Sequence, residues 1–276
     1  MASVGFDICP RVSIIVLAKN CEKYILGCIG SIVPNTNIEI IIVDPGSSDR
    51  TSELVVFLES TYPDKIRVVR QSDNSPAEGL NNGIRSTTGE IIGILNGDDV
   101  FLPGSIAYVQ EIFSRNSNLD ILLMGGFVSN ELTAKSKLVY PSKVSLHRLA
   151  LARYGGITFL HQGMFVKKNF ASDTLYNADN RVSWDFEYLV DLVRKKPNLI
   201  ISRKHAAVFR INPESISGGK KRIKEGLDVN SRISIGILGR PLNVCDQFIG
   251  LIFRIEKYFS SAISALADTV FLRNKF

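Results

Sequence analysis

The amino-acid sequence predicts an α/β fold: a mostly parallel sheet with helices on both faces, followed by a helical C-terminal extension. Three observations predict it. Short apolar, β-branched runs recur through the first half without polar alternation, as in strands buried on both faces. Helix-length segments with cap and turn signals separate these runs. Polar, acid-rich clusters stand where the runs end, which is where open parallel sheets place their ligands.

The elements follow in order. Val12–Leu17 (VSIIVL) reads as the first strand and Glu22–Val33 as a helix. Ile38–Val43 (IEIIIV) is a second buried strand, and Asp49–Ser60 a helix capped by Ser48 or Asp49. Ile66–Val69 is a short strand, and Pro76–Ser86 a helix with proline in its first turn. Glu90–Leu95 (EIIGIL) is the fourth strand, and Ser105–Arg115 a helix after Pro103-Gly104. Strands are expected at Leu119–Val128, Lys137–Tyr140, His161–Val166 and Ala206–Ile211, with helices at Leu146–Arg153 and Ser183–Lys195. Pro213–Lys224 reads as a turn-rich basic linker, and the chain after Pro241 is strongly apolar. These signals divide the chain into a main domain, residues 1–218, and an extension, residues 219–276.

The 276 residues are 45% hydrophobic and 22% charged, the composition of a chain that buries a core. The net charge of +6 is unevenly spread. From Arg203 onward there are 13 Lys/Arg against 6 Asp/Glu, whereas the preceding part has 20 against 21. A basic C-terminal part fits an anionic surface or a solvated face, and no nucleic-acid partner is expected. The four cysteines (Cys9, Cys21, Cys28 and Cys245) form no C-x-x-C pair, so buried free thiols in a reducing cytoplasm are expected. The first residues, MASVGFDICPR, lack the pattern of a secretory signal, and no run is apolar enough to span a membrane. The dinucleotide fingerprint, the P-loop and the G-x-S-x-G elbow are all absent, and three histidines give little support to His-based hydrolysis.

Three strand ends carry the chemistry: Ala18-Lys19-Asn20, Asp44-Pro45-Gly46-Ser47-Ser48-Asp49 and Asn96-Gly97-Asp98-Asp99. Adjacent carboxylates at Asp98 and Asp99 repel unless a cation or hydrogen-bond donors compensate them. All-oxygen ligands on a loop suit Mg²⁺ or Mn²⁺. The same pair could instead cap the helix that follows. Asp44 could accept from a nucleoside, or it could simply organise a turn.

VSIIVLAKN, IEIIIVDPGSSDRT and GLNNGIRSTTGEIIGILNGDDVFLPGSI, in this order and spacing, resemble the family 2 glycosyltransferases of the Rossmann-like GT-A fold, in particular bacterial enzymes that build O-antigen and capsule repeat units. Weaker matches at HQGMFVKKNF, WDFEYLVDL and FRINPESIS extend the resemblance to about residue 218. It implies a nucleotide-binding half over 11–115 and an acceptor half over 116–218. Leu17, Ala18, Asn20 and Asp44 would hold the nucleoside, most often uridine. Asn81, Gly83 and Gly97 would lie near the donor. Asp98, with Asp99 beside it, would bind Mn²⁺ or Mg²⁺. Asp185, with Glu187 as competitor, would be the catalytic base. His161, Gln162 and Trp184 would face the acceptor. Four departures bear on this pattern: Asn96 and Pro45 stand where aspartates are frequent, Leu80 replaces an arginine, and Trp184 occupies an often acidic position.

The reaction so implied is inverting transfer of a hexose or N-acetylhexosamine from a UDP-sugar to an acceptor hydroxyl. The acceptor would be a glycan or a polyprenyl-diphosphate-linked sugar, as in cell-surface polysaccharide synthesis. The apolar C-terminal part, punctuated by Arg240, Arg254, Lys257, Arg273 and Lys275, suits a peripheral contact with the inner face of the cell membrane, or a homodimer. Two other readings stand beside this one: a nucleotide-sugar-binding protein without transferase activity, and a membrane-surface scaffold.

Overall fold

The structure, a computed structural model, describes residues 9–71, 75–155, 157–212 and 220–273, with side chains in the last stretch from 224 to 259. The elements in chain order are β1 (Val12–Leu17), α1 (Ile25–Ile32), β2 (Ile38–Asp44), α2 (Thr51–Thr61), β3 (Ile66–Arg70), α3 (Pro76–Ser86), β4 (Ile91–Asn96), β5 (Val100–Phe101), α4 (Ser105–Arg115), β6 (Ile121–Asn130) and β7 (Lys135–Val139). There follow α5 (Leu146–Ala150), β8 (Met164–Lys167), α6 (Lys168–Ala171), α7 (Trp184–Arg194), β9 (Leu199–Ile211), α8 (Lys220–Leu238) and α9 (Val244–Arg273).

One sheet runs β3-β2-β1-β4-β8-β6-β9-β5, with β7 paired to β6. The β3-β2-β1-β4 half is entirely parallel. Beyond it the sheet is mixed: β8 is antiparallel to both β4 and β6, while β9 runs parallel to β6. The parallel half is the part whose strands read as unbroken apolar runs.

Alternation along these strands builds two cores. Ile14, Val16, Ile40 and Ile42 point to one face, which α1, α2 and α4 cover with residues such as Ile25, Val55 and Val109. Ile15, Ile41 and Val43 point to the other, which α3, α5, α7 and α8 cover with Leu80, Leu149, Leu189 and Ile233. Glu39 carries a carboxyl into this interior. Burial raises the Glu39 pKa, but hydrogen bonds outweigh it and the net shift is downward. The donors are the Ser13 hydroxyl, the Thr88 N–H and hydroxyl, and the Gly89 N–H. Glu39 thereby ties β1, β2 and the turn into β4 together.

Several expectations are corrected. Helix α1 begins at Ile25, not Glu22, and α2 begins at Thr51, with Asp49 Oδ1 accepting from the Thr51 N–H at 2.9 Å. His161–Gly163 is a 3₁₀ turn, so β8 starts only at Met164. β9 is 13 residues long and begins at Leu199, not Ala206, because the residues before Ala206 also pair along β6. Of the expected linker, 213–219 lies outside the described residues, and Lys220 already begins α8. Cys21 and Cys28 are buried as free thiols, whereas Cys9 and Cys245 are exposed. Helix α8 does not stand apart: Ile233 enters the second core and Ser234 Oγ donates to the Ala150 carbonyl at 2.7 Å.

Candidate active site

The carboxyl ends of β1, β2 and β4 lie side by side, with β1 in the middle. Neighbouring strands are about 4.8 Å apart, so the loops after β2 and β4 are roughly 10 Å from one another. A cleft of about 1060 Å³ opens over these ends. Its floor includes Leu17, Ala18, Asn20, Gly97 and Asp98, and its far wall includes His161, Gln162, Trp184 and Asp185.

The loops after β1 and β2 are laced together. Asn20 adopts a left-handed conformation (φ 48°), and its Oδ1 accepts from the Ser48 N–H at 2.9 Å. The Asn20 N–H donates to Ser47 Oγ, the Cys21 N–H to Thr51 Oγ1, and the Glu22 N–H to Asp49 Oδ2. The Arg50 N–H donates back to Glu22 Oε2. A ligand lying on Leu17 and Ala18 therefore meets a preformed floor.

Asp44 takes no place on that floor. It is fully buried, and Oδ1 accepts from the Gly46 and Ser47 N–H groups at 3.0 and 3.2 Å. Its Oδ2 accepts from Ser52 Oγ at 2.5 Å and from Arg70 Nη1 at 2.8 Å. Asp44 shapes the loop, while its neighbours Val43 and Pro45 line the cleft. Asn81 also turns away: its amide pairs with the Tyr176 backbone in both directions, at 2.9 and 2.8 Å. Gly83 is a packing residue, since a Cβ there would come within 2.5 Å of Ile15 Cγ2. Gly97 does line the cleft, and a Cβ would meet Cys21 Sγ at 2.6 Å.

The two carboxylates after β4 divide. Asp99 is fully buried; Oδ1 accepts from the Arg210 N–H at 2.7 Å, and Oδ2 from Gln162 Nε2 at 2.7 Å and Asn96 Nδ2 at 2.9 Å. Burial and then the Asp98 charge push its pKa up to about 7, against those three donors. Asp99 thus anchors β9 and the His161 turn under the loop. Asp98 lines the cleft, with Oδ2 accepting from Asn212 Nδ2 at 2.8 Å, while Arg210 Nη1 grips its carbonyl at 2.7 Å. Burial raises the Asp98 pKa as well. A buried like-charge pair of this kind favours a cation at its open side. Among the described residues no group of three or more His, Cys, Asp or Glu side chains could cage a metal. The carboxylate that Asp98 presents to the cleft is an oxygen donor of the kind Mg²⁺ takes, with its remaining places filled by other oxygens.

On the far wall, Asp185 and Glu187 share the first turn of α7 but face differently. Glu187 Oε2 accepts from Asn180 Nδ2 at 2.7 Å and Asn177 Nδ2 at 3.2 Å, and its Oε1 lies 3.4 Å from Arg232. Those bonds make it a clamp between α7, the Asn177–Asn180 turn and α8. Asp185 points into the cleft, and burial raises its pKa. His161 is buried beneath it: Nε2 lies 2.9 Å from the Tyr176 hydroxyl, and Trp184 packs edge-on at 5.2 Å. Burial lowers the His161 pKa to about 3, so the ring is neutral.

Sequence reasoning gave no role to Arg210, Asn212 or Tyr176. The first two fall in the FRINPESIS match, which marked a segment without saying what it touches. Nor was α8 expected at the site, yet Gly226, Leu227 and Asn230 line the cleft beside Trp184.

The profile of Glycosyl transferase family 2 matches residues 13–175. A Rickettsia felis protein described as an uncharacterized glycosyltransferase is 32% identical over 68% of this chain and 32% of its own length. EpsJ of Bacillus subtilis, also described as an uncharacterized glycosyltransferase, is 26% identical over 75% of this chain. The chain spans 63% of EpsJ and about a third of the R. felis protein, which are therefore the longer molecules. Among solved structures, S. aureus TarS 1–349 in complex with UDP-GlcNAc has a TM-score of 0.63 at 16% identity, over 91% of this chain and 73% of that one. The mannosyltransferase PcManGT of Pyrobaculum calidifontis, in complex with GDP-Man and Mn²⁺, has a TM-score of 0.62 at 17% identity, over 97% of this chain and 81% of that one.

Proposed function

The chain belongs to glycosyltransferase family 2 and has the GT-A fold, and from that premise we propose that it transfers a hexose or N-acetylhexosamine from a UDP-sugar to an acceptor hydroxyl, inverting the anomeric centre. One observation carries the reading. Two carboxylates, Asp98 on the floor and Asp185 on the far wall, line a single cleft, while Asp44, Asp99 and Glu187 are all engaged elsewhere.

The uridine lies on the Leu17–Asn20 floor beside Pro45, and the diphosphate crosses Gly97. Asp98 holds the Mn²⁺ or Mg²⁺ that accompanies the diphosphate. Such an ion, when bound, stabilises negative charge on the departing phosphate. Asp185, across the cleft, accepts the proton of the acceptor hydroxyl as its oxygen attacks the sugar carbon from the face opposite the leaving group. Neutral His161 and Tyr176 brace Trp184 and so fix the start of the helix that carries Asp185. The acceptor is a glycan on a polyprenyl-diphosphate carrier in cell-surface polysaccharide synthesis, which places the enzyme at the cytoplasmic face of the membrane.

The test is a screen of UDP-, GDP- and dTDP-sugars for thermal stabilisation with and without Mn²⁺, followed by transfer to lipid-linked acceptors. The reading expects the largest stabilisation with a UDP-sugar plus Mn²⁺. Equal stabilisation by all three nucleotides, or none, would overturn the uridine assignment.

A further inference from the structure

Helix α9 carries an apolar face that nothing among the described residues covers. Val244, Phe248, Leu251, Ile252, Ile255, Tyr258 and Phe259 are between 47% and 78% exposed. At about 100° per residue these seven fall within an arc of roughly 120°, and at 1.5 Å per residue they extend for about 22 Å. Their opposite side is the one that packs: a Cβ at Gly250 would lie 2.4 Å from Tyr154, Phe253 meets His147, and buried Asp246 pairs with Arg240. The face is therefore the outer surface of a docked helix.

Cations stand on both flanks. Arg254 is exposed on one side, packed over Gly155. On the other side Glu256 is met by Lys143 at 3.0 Å and by Arg148. These residues open onto a cavity of about 220 Å³ that also takes in Arg203 and Lys257, so four cations line it against one carboxylate. Burial, then the Arg254 and Lys137 charges, lowers the Lys257 pKa.

We propose that the α9 face and the cationic cavity at its edge form one docking surface for an anionic phospholipid membrane, with the helix lying in the plane of the interface and a lipid phosphate seated against Lys143 and Arg203. Charge selects this occupant over a second copy of the chain. The cavity at the edge of the face holds Lys143, Arg148, Arg203 and Lys257 against Glu256 alone, so two copies meeting along this edge would bring like charge together. An anionic surface meets the same charge with attraction. No helix among the described residues is long and apolar enough to cross a membrane, which leaves α9 on the surface. The surface does not depend on the donor-site reading.

The experiment is co-sedimentation of the full chain with phosphatidylglycerol–phosphatidylcholine vesicles and with phosphatidylcholine vesicles alone, with light scattering in parallel. The wild type is expected to sediment with anionic vesicles only and to be monomeric in solution. Phe248→Glu with Ile255→Glu should abolish sedimentation without changing Tm, since both side chains are exposed. Lys143→Gln with Arg203→Gln should weaken binding about 25-fold, at about fivefold per charge near the surface. Three results would overturn the proposal: no sedimentation of the wild type, undiminished sedimentation of the Phe248/Ile255 variant, or a dimer that this variant dissolves. UDP-induced stabilisation, followed in the same samples, keeps a failure here distinct from a failure of the donor site.

Discussion

Burial in the cleft wall raises the Asp185 pKa, so its carboxyl loses its proton at a higher pH than an exposed aspartate does. A general base works only when deprotonated. The acid limb of kcat/KM is accordingly expected above the ordinary aspartate value of about 4, and Asp185→Asn should remove the limb together with ~10²–10⁴ of the rate. Glu187→Gln is the contrasting variant: it keeps the base, retains the rate within about tenfold, and lowers stability by about 1 kcal/mol through weaker bonds to Asn177, Asn180 and Arg232. A pH–rate profile of both variants checks the assignment. His161 makes a separate statement about stability. Its folded pKa is depressed to about 3, so below ~6.5 the unfolded chain binds a proton that the folded chain refuses. Stability then falls by about 1.4 kcal/mol per pH unit as pH drops through that window. Urea midpoints from pH ~7 to ~5 should show this slope in the wild type and a shallower one in His161→Gln.

Among the elements, β1 to β4 were legible because burial on both faces leaves unbroken apolar runs. The residues that shape the loops after them were legible as polar clusters but not by role. Asp44 and Asp98 both follow buried strands, and only the hydrogen bonds of the fold show that one closes its own turn while the other faces the cleft. β9 was read short because its polar residues are paired by β6, a partner far away in sequence. Gly83 shows what local sequence conceals. Its Asn-Gly context resembled a donor block, yet the structure uses it to seat α3 on Ile15. Gly83→Ala should cost about 1–3 kcal/mol in denaturant unfolding, with UDP binding kept wherever the protein is folded. Asn20→Ala should behave in the opposite way. It removes two hydrogen bonds between exposed loops, so stability changes little while UDP affinity falls by about tenfold, because the floor must then be ordered on binding. Calorimetry with UDP distinguishes the two.

At the scale of the whole molecule, the parallel half supplies the cleft floor and Asp98, and the mixed half supplies Asp185 and the grip on the Asp98 loop. That grip passes through Arg210, Asn212 and Gln162, so the two halves meet at the carboxylates themselves. Helix α8 then closes the far side with Gly226, Leu227 and Asn230. The sequence carried the floor and the two facing carboxylates. It did not carry the α8 side of the cleft or the grip on the Asp98 loop, because Gly226, Leu227, Asn230, Arg210 and Asn212 come together only through packing between segments remote in the chain. The central claim is that Asp98 holds the donor's ion on one side of this cleft while Asp185 acts only on the acceptor from the other. Calorimetric titration of UDP with and without Mn²⁺ tests this most directly, using the wild type, Asp98→Asn and Asp185→Asn. The account predicts that Mn²⁺ strengthens UDP binding in the wild type and in Asp185→Asn but not in Asp98→Asn. Equal strengthening by Mn²⁺ in Asp98→Asn would contradict it.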